Sequence, residues 1–271
     1  MTRAAALCAL GLLAACGPGP GSGRGDRRIV LFGPSLTETV FSLGAGSLVV
    51  GVDRHSSWPA AADSLPDVGG YLDPNMEQVA ALSPTSIHSV GNSPDIAELS
   101  RALGVPYHHW SFDTLEDALA SMGALDSMYG DGSRPAEALR RTLDSLRHAT
   151  PEASVALVVS HTPGSGSVTL AGDGTFLGDL VEGMGALIRA PTSSAYPRVS
   201  LEGVLELAPD HLVYLLPDHP DPETYRDRVE ELWEGMGISG RRVHVLTQGY
   251  LLVPGPRMGL TAERISECLR Y

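Results

Sequence analysis

The chain contains one segment twice. Residues Tyr71–Ile87 and Tyr196–Leu212 align without a gap when one is shifted by 125 positions onto the other. A repeat of this length predicts two related structural units, one in each half of the chain. The identical pairs are Tyr71 and Tyr196, Glu77 and Glu202, Val79 and Val204, Leu82 and Leu207, and Pro84 and Pro209.

Each copy has the pattern of a helix followed by a strand. Asn75 and Ser200 are suitable N-cap residues, because a side-chain oxygen can accept a hydrogen bond from an N–H of the first turn. Proline ends each helix, since it cannot continue the helical hydrogen-bond ladder. An apolar run follows each proline, as expected of a buried strand. The apolar residues at helical spacing are Met76, Val79 and Leu82 in one copy and Leu201, Val204 and Leu207 in the other.

Glu77 and Glu202 occupy the first turn of the two predicted helices, away from the apolar stripe. One interpretation is compensation of the helix dipole, which contributes roughly 0.3–1 kcal/mol. The other is a symmetric pair of surface acids that docks a partner. The repeat alone leaves both interpretations open.

Charge and cysteine content exclude two classes of protein. The formal net charge of −13 argues against nucleic-acid binding, because phosphate contacts need clustered Lys and Arg. Only Cys8, Cys16 and Cys268 are present, and the first lies in a predicted leader. We therefore expect no disulfide framework.

The N-terminus has the features of an export signal. Residues 1–15 begin with a positive charge at Arg3, and Ala4–Ala15 is an apolar run too short to span a bilayer, which needs about 20 residues. Leu13–Cys16 (LAAC) resembles a lipoprotein cleavage box, with an ordinary secretory signal as the alternative. Residues 16–27 are rich in Gly and Pro, which predicts a flexible tether. We expect an exported protein with a lipid on Cys16, anchored on the extracytoplasmic side of a membrane.

Strands and helices alternate along the rest of the chain, which predicts an α/β fold with mainly parallel sheets and flanking helices. We place an N-terminal lobe at residues 28–132 and a C-terminal lobe at residues 151–271. Residues 133–150 (SRPAEALRRTLDSLRHAT) are predicted to form one long amphipathic helix that joins the two lobes.

Catalytic and metal-binding patterns are weak. Ser160, His161 and Asp173 could suggest a triad, but the surrounding sequence is not a nucleophile elbow, and no GxGxxG or P-loop is present. His108 and His109 are adjacent and would point to opposite faces of a strand. We predict no enzyme activity, no resident cofactor and no metal site.

Several aromatic residues fall in predicted loops instead of on apolar stripes. Tyr71 and Tyr196 come just before the repeated helices, and Trp58, Trp110 and Tyr250 lie in or beside other loops. Aromatic walls suit a flat or bulky ligand, but loop packing explains any single one of them equally well. Arg257, in the turn PGPR, either meets an anionic group of a ligand or binds local carbonyls.

Five segments of the chain, in their order, resemble the iron/cobalamin periplasmic-binding domain family, also called helical-backbone metal receptors. The segments that carry the resemblance are RIVLFGPSLTETVFSLGAG, VVGVDRHSSWP, LPDVGGYLDPNMEQVAALSP, YPRVSLEGVLELAPD and PGPR, between Arg28 and Leu269. The strand TSIHSVGNS departs from the family pattern, because His88 and Ser89 stand where the family has apolar residues.

The resemblance implies two α/β lobes joined by one helix, with the ligand held between them and no catalysis. It implies that Glu77 and Glu202 dock onto the permease of an ABC transporter with its ATPase, and that the protein is a monomer. Ligand contacts are implied for Tyr71, Tyr196 and His55, the last standing where cobalamin-binding members have tyrosine; Trp58, Tyr250 and Arg257 complete our candidate set.

The ligand is left open by the resemblance. Cobalamin is one expectation, and haem or a ferric siderophore is the alternative, because haem-binding relatives place an iron-ligating tyrosine near Tyr71. A zinc-binding or enzymatic derivative of the fold, with His161 or His55 as a ligand, is a second class. A binding module that works without a transporter is a third.

Overall fold

The structure is a computed structural model that describes residues 27–162, 164–238 and 242–270. The predicted leader, Cys16 and the tether up to residue 26 lie outside these residues.

The first half of the chain forms a four-stranded sheet in the order β2-β1-β3-β4, with all strands parallel. Both faces of this sheet are covered, because Ile29 and Leu31 face one core and Val30 and Phe32 face another. The elements of this half are β1 (Ile29–Phe32), α1 (Pro34–Ser42), β2 (Val49–Val52), α2 (Ala60–Asp63), α3 (Met76–Ala81), β3 (Ser86–Val90), α4 (Pro94–Leu103), β4 (Tyr107–Trp110) and α5 (Leu115–Tyr129).

The second half forms a mixed sheet in the order β10-β9-β5-β6-β8, with the short strand β7 also paired to β5. Its β5, β7, β9 and β10 pair in parallel, whereas β6 is antiparallel to both β5 and β8. The elements of this half are α6 (Pro135–Ala149), β5 (Ser154–His161), β6 (Ser167–Ala171), α7 (Phe176–Gly183), β7 (Leu187–Ile188), β8 (Arg198–Ser200), α8 (Leu201–Leu207), β9 (His211–Leu215), α9 (Pro222–Gly235), β10 (Val243–Leu246) and α10 (Met258–Cys268).

The repeat is visible in the backbone and reaches beyond the predicted segments. Strand β3 and strand β9 begin and end 125 residues apart, and each pairs in parallel with the strand that opens its half. The turns after the two helices match as well: Ser83 and Ala208, again 125 apart, both have left-handed backbone angles, with φ of 46° and 45°. Each of these residues precedes a proline. The two copies therefore share a helix, a left-handed residue before proline and a parallel strand at matching positions.

One continuous central core joins the two sheets. Apolar residues of β1, of α6 and of β5 belong to the same cluster, to which α10 also contributes. Helix α6 supplies Leu139, Leu143 and Leu146, which are all buried. The apolar spacing that predicts this helix therefore marks the face that packs into the shared core. Each sheet has a second, smaller core on its outer face.

In the part of the chain that the structure describes, no helix combines the length and the apolar character needed to cross a membrane.

Candidate ligand cleft

The two halves meet at a cluster of four side chains, which we call the arginine junction: Glu38, Trp58, Tyr250 and Arg257. Arg257 donates from Nε to Glu38 Oε2 at 2.8 Å and from Nη2 to Glu38 Oε1 at 2.5 Å. Its guanidinium carbon lies 4.8 Å from the centre of the Trp58 ring and 5.3 Å from that of Tyr250. The junction thus brings together three of the six predicted ligand residues.

Helix positions explain this geometry. Glu38 belongs to α1, and Arg257 is the N-cap residue of α10. The turn before Arg257 rests on the start of α1, since a Cβ added at Gly255 would lie 3.6 Å from the carbonyl oxygen of Ser35. Burial raises the pKa of Glu38, and the hydrogen bonds and the charge of Arg257 oppose that rise. Arg257 therefore binds a carboxylate 219 residues away, whereas its sequence context indicates a ligand anion or the local carbonyls as partner.

The loop after β2 carries His55 and Trp58 and is fixed by a buried carboxylate. Asp53 accepts a hydrogen bond from Ser56 Oγ, which in turn accepts one from Thr37 Oγ1 at 2.9 Å. Burial raises the pKa of Asp53, although the hydrogen bond from Ser56 opposes the rise. His55 itself is exposed beside this anchored turn. The loop is therefore held against α1, while His55 and Trp58 remain accessible.

Tyr71 is half-buried and lies against the end of β3. A Cβ added at Gly91, where φ is +73°, would come within 3.2 Å of the Tyr71 hydroxyl oxygen. Burial, and then the neighbouring Tyr107, raise the pKa of Tyr71. The phenol is therefore favoured over the phenolate, and a phenol can both donate and accept a hydrogen bond.

Tyr196 is 47% exposed and marks a second contact between the halves. Burial, and then the nearby carboxylate of Asp113, raise the pKa of Tyr196. At the same place the Asp113 carbonyl accepts a hydrogen bond from Phe176 N–H at 2.8 Å, and Leu115 N–H donates to Asp179 at 2.8 Å. We call this contact the Asp113 junction. Tyr71 and Tyr196, although related by the repeat, thus have different neighbours.

Glu77 and Glu202 occupy matching surface positions. Both are exposed and lie in the first turn of α3 and of α8. The predicted N-caps are confirmed: Asn75 accepts from Gln78 N–H, and Ser200 accepts from Gly203 N–H, both at 3.0 Å. The two acids are therefore presented by helices of the same geometry.

The unexpected His88 belongs to a buried polar cluster. It is fully buried, and its Nδ1 accepts a hydrogen bond from Trp110 Nε1–H at 3.1 Å. Its Nε2 lies 2.9 Å from Tyr129 Oη and 3.1 Å from Ser86 Oγ. Burial, helped by His108, lowers the pKa of His88 to about 3. The neutral ring fills a place that the family resemblance assigns to an apolar residue.

His161, which we considered for catalysis or zinc, contacts a tyrosine. His161 Nδ1 is 3.0 Å from Tyr225 Oη, and burial lowers the pKa of His161. Among residues 27–162, 164–238 and 242–270, no group of three or more His, Cys, Asp or Glu side chains is arranged to hold a metal ion.

Sequence reasoning missed Glu38 and Asp113. Glu38 is an acid on a helix whose other inward positions are apolar or small hydroxyl residues. An acid on such a buried face indicates a buried ion pair. It does not indicate that the partner is Arg257, 219 residues away. Asp113 carries no local signal, because an acid between a strand and a helix is common.

Comparisons with known proteins give the family. A family model described as periplasmic binding protein matches residues 29–224. The vitamin B12-binding protein of Vibrio parahaemolyticus serotype O3:K6 is 28% identical over 200 residues, which cover 68% of this chain and 69% of that protein.

Two solved structures have the same fold. The periplasmic haem binding protein of Vibrio cholerae matches with a TM-score of 0.75 at 22% identity, covering 90% of this chain and 99% of that one. The periplasmic vitamin B12 binding protein of the same species matches with a TM-score of 0.73 at 23% identity, covering 90% and 96%. The predicted class of two α/β lobes is confirmed. The chain therefore belongs to the periplasmic binding protein family, which confirms an extracytoplasmic protein that binds a ligand, carries no resident cofactor and is not an enzyme.

Proposed function

We propose that this chain is the substrate-binding component of an ABC importer and that it captures a corrinoid such as cobalamin between its two lobes. The observation that carries the proposal is the arginine junction, where Trp58 from one half and Tyr250 from the other flank the same guanidinium group. Aromatic surface contributed by both lobes can hold a large, flat ligand across the gap between them. The relative that binds vitamin B12 supports the corrinoid over other large ligands.

Tyr71 and Tyr196 complete the proposed site, with His55 at its edge. Tyr196 is half exposed beside Asp113, and Tyr71 lies beside the loop that follows β3. Their hydroxyl groups can hydrogen bond to the amide side chains that surround a corrin ring. Both tyrosines precede a repeated helix, so the lobes contribute related residues to the site.

Calorimetric titration of cyanocobalamin tests the ligand. The protein would begin at Ser22, which omits Cys16 and keeps every described residue. We expect one-to-one binding with a Kd of about 1 μM or tighter, since that affinity is common for specific small-molecule capture. Trp58→Ala should weaken binding by about tenfold or more through the lost stacking surface. Heat from haemin but not from cyanocobalamin would contradict the corrinoid and favour haem, with Tyr71 as the first candidate iron ligand.

We also propose that Glu77 and Glu202 dock the loaded protein onto a basic surface of the permease. Support comes from their exposure and from their identical placement on α3 and α8. Reversal of both charges, Glu77→Arg with Glu202→Arg, should abolish transport and leave the Kd for the ligand unchanged. Glu98→Arg with Glu231→Arg, at exposed positions on α4 and α9, is the matched control and should transport normally. Loss of ligand affinity in the first variant would remove the docking role.

The lipid anchor is a separate proposal that rests on the sequence around Cys16. We infer that the leader is cleaved before this cysteine and that its sulfur carries a diacylglycerol group. The Cys16→Ser protein should leave the membrane fraction and fail to incorporate radiolabelled fatty acid. Unchanged membrane association of that variant would contradict the anchor.

A further inference from the structure

The arginine junction has an unusual charge arrangement for a ligand site. Arg257 uses Nε and Nη2 for a bidentate pair with Glu38, the strongest geometry open to an arginine and a carboxylate. The Glu38 side chain is only 3% exposed and is carried by a buried stretch of α1. The carboxylate therefore cannot turn towards solvent, and Arg257 remains paired with it.

The guanidinium group also lies close to two aromatic rings. The rings of Trp58 and Tyr250 lie 4.8 and 5.3 Å from its central carbon, within the range of cation–π contacts. The Arg257 side chain is 19% exposed, whereas Trp58 is 52% exposed. What this junction presents to a ligand is therefore mainly the indole of Trp58.

Charged side chains beside the other candidate ligand residues also have polar or charged partners. Arg54, beside His55, pairs with Asp73 at 2.9 Å. At the second junction the group beside Tyr196 is the carboxylate of Asp113. Arg198 is the contrasting case, because its Nε donates to the Ser167 hydroxyl at 2.8 Å, which leaves the charge of Arg198 uncompensated by that contact. Arg257 and Arg54 are thus paired with carboxylates, whereas this bond of Arg198 goes to a neutral hydroxyl group.

We infer that Glu38 is a specificity-determining residue: by pairing with Arg257 it keeps the arginine junction without net charge, so that this wall accepts an uncharged part of a ligand and rejects a carboxylate. A carboxylate placed against Trp58 would lose water and gain no free cation in return. An amide loses much less and can still stack. The inference rests on the proposed corrinoid function and specifies the charge class of its ligand.

Two corrinoids of equal size provide the test. Cyanocobalamin carries neutral amides, and its monocarboxylic acid has one propionamide of the corrin hydrolysed to propionate. We expect the wild-type protein to bind cyanocobalamin at least about tenfold more tightly than its monocarboxylic acid. In Glu38→Gln the positive charge of Arg257 is uncompensated, and the preference should shrink to about twofold or reverse, since a close opposite charge favours the ionised group.

A double variant covers the case in which Glu38→Gln alone does not fold, because an unpaired buried charge destabilises a protein strongly. Glu38→Gln with Arg257→Gln again leaves a wall without net charge and should recover the wild-type preference. Arg198→Gln is the control for general charge effects and should leave the ratio of the two affinities unchanged. The inference would be overturned if Arg198→Gln abolished the preference for the amide. It would also be overturned if Glu38→Gln folded normally and kept the wild-type ratio of affinities.

The proposed function and this inference fail in different ways. Equal binding of the two corrinoids to the wild-type protein removes the charge selectivity and keeps the corrinoid function. Absence of binding by either corrinoid removes the corrinoid function, and haemin, which carries two propionates, then becomes the anionic probe. Haemin bound as tightly by the wild-type protein as by Glu38→Gln would overturn the inference in that case.

Discussion

The two copies of the repeat place a helix and a strand at matching positions but pack different side chains around the strand. His88 in β3 corresponds to Val213 in β9, and Ser89 corresponds to Tyr214. His88 is fully buried in a polar cluster with Trp110 and Tyr129, whereas Val213 is fully buried in the apolar central core.

Polar groups in the second copy are placed on the other face of its sheet. Tyr214 accepts a hydrogen bond from Trp233 Nε1–H at 2.8 Å, and both side chains are completely buried. Burial raises the pKa of Tyr214 well above its usual value. One backbone geometry thus tolerates a buried polar group on either face of the strand, provided that each group has a partner.

The largest loss of stability is expected when Val213 in β9 is replaced by histidine, the residue at the corresponding position of β3. Val213→His should lower the free energy of unfolding by about 3–5 kcal/mol, because an imidazole placed there loses water and is too large for the site. Urea unfolding at neutral pH measures this. Val213→Ile, which keeps the site apolar, is the control and should cost about 1–2 kcal/mol. A loss below about 1 kcal/mol for Val213→His would contradict this prediction, because it would mean that groups around position 213 form hydrogen bonds with the new imidazole.

The converse change, His88→Val, should remove a pH dependence. The pKa of His88 is about 3 in the folded chain against 6.5 for the free side chain. Below pH 6.5 the His88 imidazole therefore binds a proton in the unfolded chain but stays neutral in the folded chain. The free energy of unfolding falls as the pH falls towards 3. Between about pH 7 and pH 4 the wild-type protein should lose roughly 3 kcal/mol more than the variant. Parallel loss in both proteins would contradict a buried neutral His88.

At neutral pH the same variant should lose stability, because Trp110 Nε1–H would have no acceptor in place of His88 Nδ1. A buried donor left in this way costs about 1–3 kcal/mol. This loss and the gain at low pH have opposite signs, so the stability curves of the two proteins should converge as the pH falls.

The helix caps test how far the copies are equivalent. Asn75→Ala and Ser200→Ala each remove an acceptor 3.0 Å from an N–H of the first turn, and each should cost about 1 kcal/mol. Asn92→Ala, at an exposed position outside both helices, is the control. Urea unfolding measures the three proteins. A cost in one copy and none in the other would show that packing and not capping holds one of these helices.

The smallest effect concerns the ends of the same helices. Ser83 and Ala208 have φ of 46° and 45°, a region that is strained for residues with a Cβ. Glycine at either position should raise the free energy of unfolding by about 0.5–1 kcal/mol, which a thermal unfolding midpoint detects. A lower midpoint for both variants would mean that the side chains contribute more than the backbone strain costs.

Much of the fold is encoded locally. The helix that starts at Met76 was predicted from Asn75 and from the apolar spacing, and the long helix α6 from its three buried leucines. Strands β7 and β8 were not predicted, because two or three residues give no readable alternation. The antiparallel edge that β8 forms with β6 is set by pairing across the sheet, and pairing is invisible in a short segment.

The two related units can be predicted by comparing the halves of the chain, and the helix caps and α6 can be predicted from residues within a few positions of each other. Which of the candidate residues contact one another depends on how the halves of the chain pack. Trp58 and Arg257 are brought together by the central core that α1 and α10 share, and Glu38 binds Arg257 across 219 residues. The charge of the proposed site is therefore a property of packing, because a buried carboxylate and a distant arginine compensate each other only where the fold places them in contact.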